Sequence, residues 1–298
     1  MSSATPTTAP LLSWSRCDPE QRLAFRGGRY TRVNAWCGFF LAVASTVAFF
    51  AALMPFRGTY VARTFTERGP VPYAIALFFF WSLAILGLKL LKLRLQNKTL
   101  ALMVVPDDPG FVLSPTTVET VTHRIHEAVD DPRNFVLFNR IGIALSNLRN
   151  LGRVADVDEI LRSQADHDES VMETSYAMIQ GFVWAIPVLG FIGTVQGLSA
   201  SIGGFGTVLA RTTEMAEIKG SLQEVTGGLA VAFETTLQGL VAALIVQLLL
   251  TALKKSEEDF LDACSEYCVR NIVGRLRLIP YETENEDQWR LDDAVGRR

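Results

Sequence analysis

Four stretches of the chain are apolar and uncharged for long enough to cross a membrane. They run over 33–56, 69–88, 174–210 and, interrupted only by Glu234, 225–253. A helix needs roughly 20 residues to traverse a hydrocarbon layer about 30 Å thick, and each stretch supplies them. The first is closed by Pro55; the second centres on LFFFWSLAILGL. From Pro106 to Glu173 the pattern changes to the helical periodicity of a soluble section. Val118, Val121, Ile125 and Val129 recur at turn spacing, a second helix is predicted over 135–151, and a third begins at Val154. The signals PDDPG at 106–110, Ser114-Pro115 and Asp131-Pro132 mark turns, with Ser114 a predicted N-cap before a proline at the first helical position. No strong breaker separates Val154 from the third apolar stretch, so the pattern predicts one long helix, acidic in water and apolar in lipid. The fourth stretch likewise continues into KKSEEDFLDACSEYCVRNIVGRLRL, with Phe260, Leu261, Cys264, Tyr267 and Cys268 on one face.

The last two spans are unlike the first two. The third carries Pro187, Gly190, Gly193, Gly197, Gly203 and Gly204 together with Thr194, Gln196, Ser199 and Ser201. Small residues at helical spacing let backbones approach, and hydroxyls and amides in a span seek partners inside a bundle or line water. Gly203, Gly204 and Gly206 are expected to end this span, with a short return loop carrying Arg211, Glu214, Glu217 and Lys219. The fourth reads VTGGLAVAFETTLQGLVAALIVQLLL, and Glu234 lies ten residues after Glu224, about 15 Å along a helix and near the membrane centre. A carboxylate there is costly, so it faces protein or water and is a functional candidate, either relaying protons or fastening helices. Glu234 and Thr236 are about 200° apart around a helix and cannot share a face. Glu234 shares one with Ala230 and Gln238, Thr236 with Ala232, Gly239 and Ala243.

Composition narrows the class. The chain has 298 residues, 49% hydrophobic and 20% charged, which fits a membrane protein with a substantial soluble part. A net charge of −3 without a basic stripe gives no nucleic-acid signal. Cys17, Cys37, Cys264 and Cys268 are too few and scattered for a secreted disulfide framework. Residues 1–15, rich in Ser, Thr, Pro and Ala, read as loose, as does the polar tail 282–298. Arg16, Arg22, Arg26, Arg29 and Arg32 precede the first span, and Lys89, Lys92, Arg94 and Lys98 follow the second. Only Arg57, Arg63 and Arg68 lie between them. The excess assigns both termini and the section after Lys98 to the cytoplasm. His123 and His126 read as a solvated pair, since a metal site needs more ligands, and His167 sits in an acidic, solvent-facing run. No HExxH, GxSxG or P-loop pattern occurs, so neither a cofactor, a bound metal nor an enzyme is expected. The Trp and Phe residues of the first two spans read as lipid-facing.

LGFIGTVQGL in the third span and GGLAVAFETTLQGLVAAL in the fourth resemble the paired signature helices of the MotA/TolQ/ExbB proton channel family. The four-span layout is closer to the MotA branch. The resemblance covers roughly 155–270 and implies a homo-oligomer, a pentamer, around a single-span ExbD/TolR/MotB-like partner carrying a transmembrane Asp. It further implies a bacterial inner-membrane complex that couples the proton motive force to work, with Na⁺ as an alternative ion. Thr194 matches the threonine of the family's LGT motif, and Thr236 the pore-lining threonine three residues before Gly239. TolQ and ExbB proteins carry a glutamate five residues before that threonine, where this chain has Val231. Thr194, Thr236 and Glu234 are therefore the candidate ion pathway, and Gly190, Gly193, Gly197 and Gly239 the candidate packing positions. A non-conducting scaffold built on the same polar helices is the rival reading. The expected architecture is all-α, polytopic, with four transmembrane helices and long cytoplasmic helical extensions. It divides as 1–32 (cytoplasmic segment), 33–98 (first two spans), 99–173 (cytoplasmic helices), 174–253 (channel core) and 254–298 (C-terminal helix and tail).

Overall fold

A computed structural model describes residues 11–66, 69–106, 113, 117–151, 154–211 and 215–276. Helices dominate them: α1 (Trp14–Cys17), α2 (Pro19–Arg22), α3 (Ala35–Leu53), α4 (Tyr60–Thr66), α5 (Val71–Asn97), α6 (Val118–Ala128), α7 (Val136–Leu151), α8 (Val154–Arg211) and α9 (Met215–Asn271). Among the described residues there is no strand, only isolated bridges at Leu12–Val129 and Leu113–Leu276. Among the described residues, four helical stretches are long and apolar enough to cross a membrane: Ala35–Phe56, Val71–Ala101, Asp156–Ala210 and Met215–Arg275. The chain is an all-α membrane protein with long helical extensions.

The chain forms two compact units, one of 19–92 with 172–257, the other of 1–18 with 93–171 and 258–298. In the first, α3, α5, α8 and α9 pack through aromatic and small residues. Trp81 of α5 lies 5.0 Å from Phe39 of α3 and 4.8 Å from Phe182 of α8, ring centre to ring centre. Phe49 meets Phe80, and Phe50 stacks on Tyr73 at 4.4 Å. These rings are mortar between helices, which corrects their reading as lipid-facing; Trp36 and Phe40 stay exposed. In the second unit, α6 and α7 bury Val121, Ile125, Phe135, Leu137, Phe138 and Ile141. Arg140 of α7 reaches Asp168 of α8 at 2.7 Å and Ser265 of α9 at 2.8 Å.

Several sequence expectations are corrected. Gly203, Gly204 and Gly206 do not end the third span: α8 continues through them to Arg211, and α9 starts at Met215, absorbing Glu217 and Lys219. Glycine weakens a helix by only about 1 kcal/mol, which an apolar context overrides. Pro187 likewise lies inside α8. The link after the first span, marked in the sequence only by its three arginines, holds the helix α4. Within the stretch read as loose, residues 11–15 are held in place, because Trp14 packs edge-on against Phe135 at 5.4 Å and is 3% exposed. Val129 caps α6 in extended geometry rather than extending it. The Ser114-Pro115 cap, most of the PDDPG turn and the tail lie outside the described residues.

Candidate functional site

The antiparallel seam between α8 and α9 is where the sequence's small and hydroxyl-bearing residues meet. A β-carbon placed on Gly239 would lie 3.0 Å from the Ile186 carbonyl oxygen and 3.3 Å from Gly190 Cα. One placed on Gly190 would lie 3.0 Å from the Thr235 oxygen, and one on Gly193 2.8 Å from Thr235 Oγ1. At Gly197 the nearest atoms, of Ala232 and Gly228, are 3.5 Å away, an ordinary contact. The absence of side chains at the first three positions therefore sets the closeness of the two backbones.

That closeness brings Thr194 and Thr236 together. Their hydroxyls are hydrogen-bonded to each other. Thr194 Oγ1 also lies 2.9 Å from the Ala232 carbonyl and Thr236 Oγ1 3.2 Å from the Gly190 carbonyl. Each hydroxyl holds one proton and two lone pairs. Two protons thus serve two backbone carbonyls and one oxygen–oxygen contact, and each can turn between them. Such a pair presents lone pairs to a cation and can pass a proton by reorientation, with no net charge of its own. Both side chains are half-buried, and Thr235 beside them is closed off, donating to Ala232 at 2.9 Å.

Glu234 is not part of this pair. Its Oε1 accepts a hydrogen bond from the Tyr60 hydroxyl of α4 at 2.7 Å, and Gln238, one turn on, donates from Nε2 to the Thr64 carbonyl at 2.9 Å. The 200° separation from Thr236 is realised as two faces, one on α8 and the other on α4. Its level along the bundle follows from its neighbours. Val71, the first residue of α5, stands at 3.0 Å from a β-carbon placed on Gly193, so Glu234 is level with the start of α5 and not with its middle. Beyond that level, α8 runs on for 18 residues from Gly193 to Arg211, about 27 Å, with α9 alongside it.

At the opposite end of this unit lies an ionic cluster that sequence reasoning missed. Lys89 Nζ donates to Glu257 Oε2 at 3.2 Å and sits 4.0 Å above the Tyr176 ring, whose hydroxyl donates to the same oxygen at 2.6 Å. Thr31 donates to Glu257 Oε1. Lys92 pairs with Glu20 and donates to the Arg32 carbonyl at 2.8 Å, while Glu20 Oε1 accepts from Asn34 N at 2.6 Å. Both lysines and both glutamates are at most 3% exposed. In sequence they resemble the solvated flanks of any span; only their spatial neighbours, up to 226 residues away, distinguish them. For Gln238 a weak signal existed, since it is one turn from Glu234.

Among the described residues no group of His, Cys, Asp and Glu is arranged to hold a metal. Against known proteins, residues 138–265 match the sequence profile of the MotA/TolQ/ExbB proton channel family. No curated protein and no solved structure matches the chain. The matched segment begins in α7 and contains the α8–α9 seam with its hydroxyl pair, so over these residues the chain is similar to the MotA/TolQ/ExbB proton channel family.

Proposed function

We propose that this protein is the proton-conducting subunit of an inner-membrane, stator-type complex that couples the proton motive force to work. The observation that carries the reading is the Thr194–Thr236 hydroxyl pair across a glycine-notched seam, inside the segment that matches a proton channel family. In this reading Thr194 and Thr236 line the ion path. Glu234 stands at the α4 end of the bundle, where it seats α4 and supplies negative charge to arriving cations. Gly190, Gly193 and Gly239 hold the seam tight, with Gly197 in ordinary contact beyond them.

The matched family works in complexes, which supports a homo-oligomer, a pentamer by resemblance, around a single-span partner whose membrane-embedded Asp carries the proton. The basic residues around 16–32 and 89–98 support cytoplasmic termini. Proton flux into vesicles holding both chains tests the reading. Wild-type flux is expected to fall at least tenfold in the Thr194→Val, Thr236→Val double variant. Undiminished flux would remove the hydroxyl pair from the path. Flux absent even from the wild-type pair would favour the non-conducting scaffold.

A further inference from the structure

Among α3, α4, α5 and α9 lies a cavity of about 340 Å³, walled by Phe49, Phe65, Phe79, Phe80 and Val241 with other apolar side chains. Among the described residues, Gln238 is the one polar side chain that lines it. Its Nε2 donates to the Thr64 carbonyl at 2.9 Å. A carbonyl only accepts, so the amide keeps its nitrogen on α4, and this fixes the place of its Oε1. That oxygen is buried, and no donor reaches it among the described residues. A flip of the amide would set two acceptors against each other, so rotation cannot satisfy it.

The chemistry of the walls narrows what would satisfy it. A trapped water needs about 2–4 polar partners, and this cavity offers one. An ammonium or carboxylate would be buried there without a counter-charge, because no charged residue lines the space. What fits is a neutral apolar body with one hydrogen-bond donor. Size sets a second limit: a cavity of about 150 Å³ takes up benzene, so this one holds a ring with a short chain. Access is from the lipid side, since Leu237, Val241 and Ile245 of the lining are themselves exposed on α9. Aromatic walls favour an aromatic guest, edge to face.

We propose that this cavity is a binding site for a membrane-dissolved, uncharged phenol, whose hydroxyl donates to Gln238 Oε1 while its ring and chain fill the phenylalanine-walled space. One amide then serves two partners, the Thr64 carbonyl on one side and the guest on the other, so an occupied site fastens α4 to α9. The site goes beyond the conduction reading and does not depend on it.

Two probes of equal shape test it: para-butylphenol, which has the donor, and butylbenzene, which lacks it. Their binding to the full-length protein in phosphatidylcholine nanodiscs is measured by equilibrium dialysis against empty nanodiscs. The wild-type protein is expected to bind butylphenol saturably and about tenfold more tightly than butylbenzene, the worth of satisfying one buried acceptor. Gln238→Leu should erase that preference while butylbenzene still binds. Ala242→Phe, which fills the cavity and spares the amide, should abolish binding of both. Equal wild-type affinities, or a preference that survives Gln238→Leu, would overturn the site. So would an absence of saturable binding, the result expected if a neighbouring copy of the chain fills the cavity instead. Proton flux is no part of the readout, so failure here leaves the conduction reading untouched.

Discussion

A single buried ion pair in the second unit shows how much one residue can decide. Arg140 is 1% exposed and donates to Asp168, which also accepts from Gln164 at 2.9 Å. Removing one partner of such a pair strands the other charge, so Arg140→Met is expected to destabilise this unit by about 3–5 kcal/mol. The double variant Arg140→Met, Asp168→Leu replaces both charges with apolar volume and should recover most of that loss. Denaturant midpoints of the three proteins check the ordering, and a double variant no better than the single one would contradict it. Nothing in the sequence separates Arg140 from neighbouring surface arginines. The same holds for Lys89 and Lys92, whose partners are fixed by folding alone. The threonine pair was legible because family-like glycines and hydroxyls sit in one apolar run. Tyr60, the partner of Glu234, was not, since a contact spanning 174 residues leaves no local trace.

The helices themselves follow two different rules. The long ones were readable because an uncharged run of more than 20 residues admits only a spanning helix in lipid, where every backbone group must be paired internally. Their ends were not readable, since glycines that stop a helix in water are carried through it here. Glycine positions therefore divide into two kinds with opposite expected outcomes. Gly239→Val places methyl groups against the Ile186 carbonyl and should part α8 from α9. Disulfide trapping between cysteines introduced at 194 and 236 would then fall well below its level in the Gly239 protein. Gly203→Ala meets no atom within 4 Å and should stabilise α8 by about 0.5–1 kcal/mol, read as a raised unfolding midpoint. Short elements obeyed neither rule. Composition said nothing of α4, and α1 depends on a remote carboxylate. Asp130 accepts from Trp14 N at 2.8 Å, Ser15 N at 3.1 Å, Ser13 Oγ at 2.8 Å and Ser15 Oγ at 3.0 Å. Partial burial by itself would raise its pKa, but these four bonds outweigh that and hold it below the usual carboxylate range. A depressed folded-state pKa stabilises the docked segment above the unfolded value, near 3.8, and that stabilisation is lost as pH falls through the lower folded value. Docking of α1, followed by the emission of Trp14 in a variant lacking the other tryptophans, should hold from neutrality to about pH 4 and fail below it. Asp130→Asn should weaken it at every pH.

Across the whole chain, the four apolar stretches and the all-α class were legible in the hydropathy pattern. The ionic cluster around Lys89 and Glu257, by contrast, is assembled from parts made at very different times. Glu20 leaves the ribosome 72 residues before Lys92, and Lys89 leaves it 168 residues before Glu257. Until the final helix is synthesised, Lys89 has no counter-ion and must stay hydrated at the membrane edge, where a long flexible side chain can reach water. Biosynthesis of this protein therefore has a natural checkpoint: the first two spans can be inserted early, but their hydrated end dries and locks only when the last helix arrives.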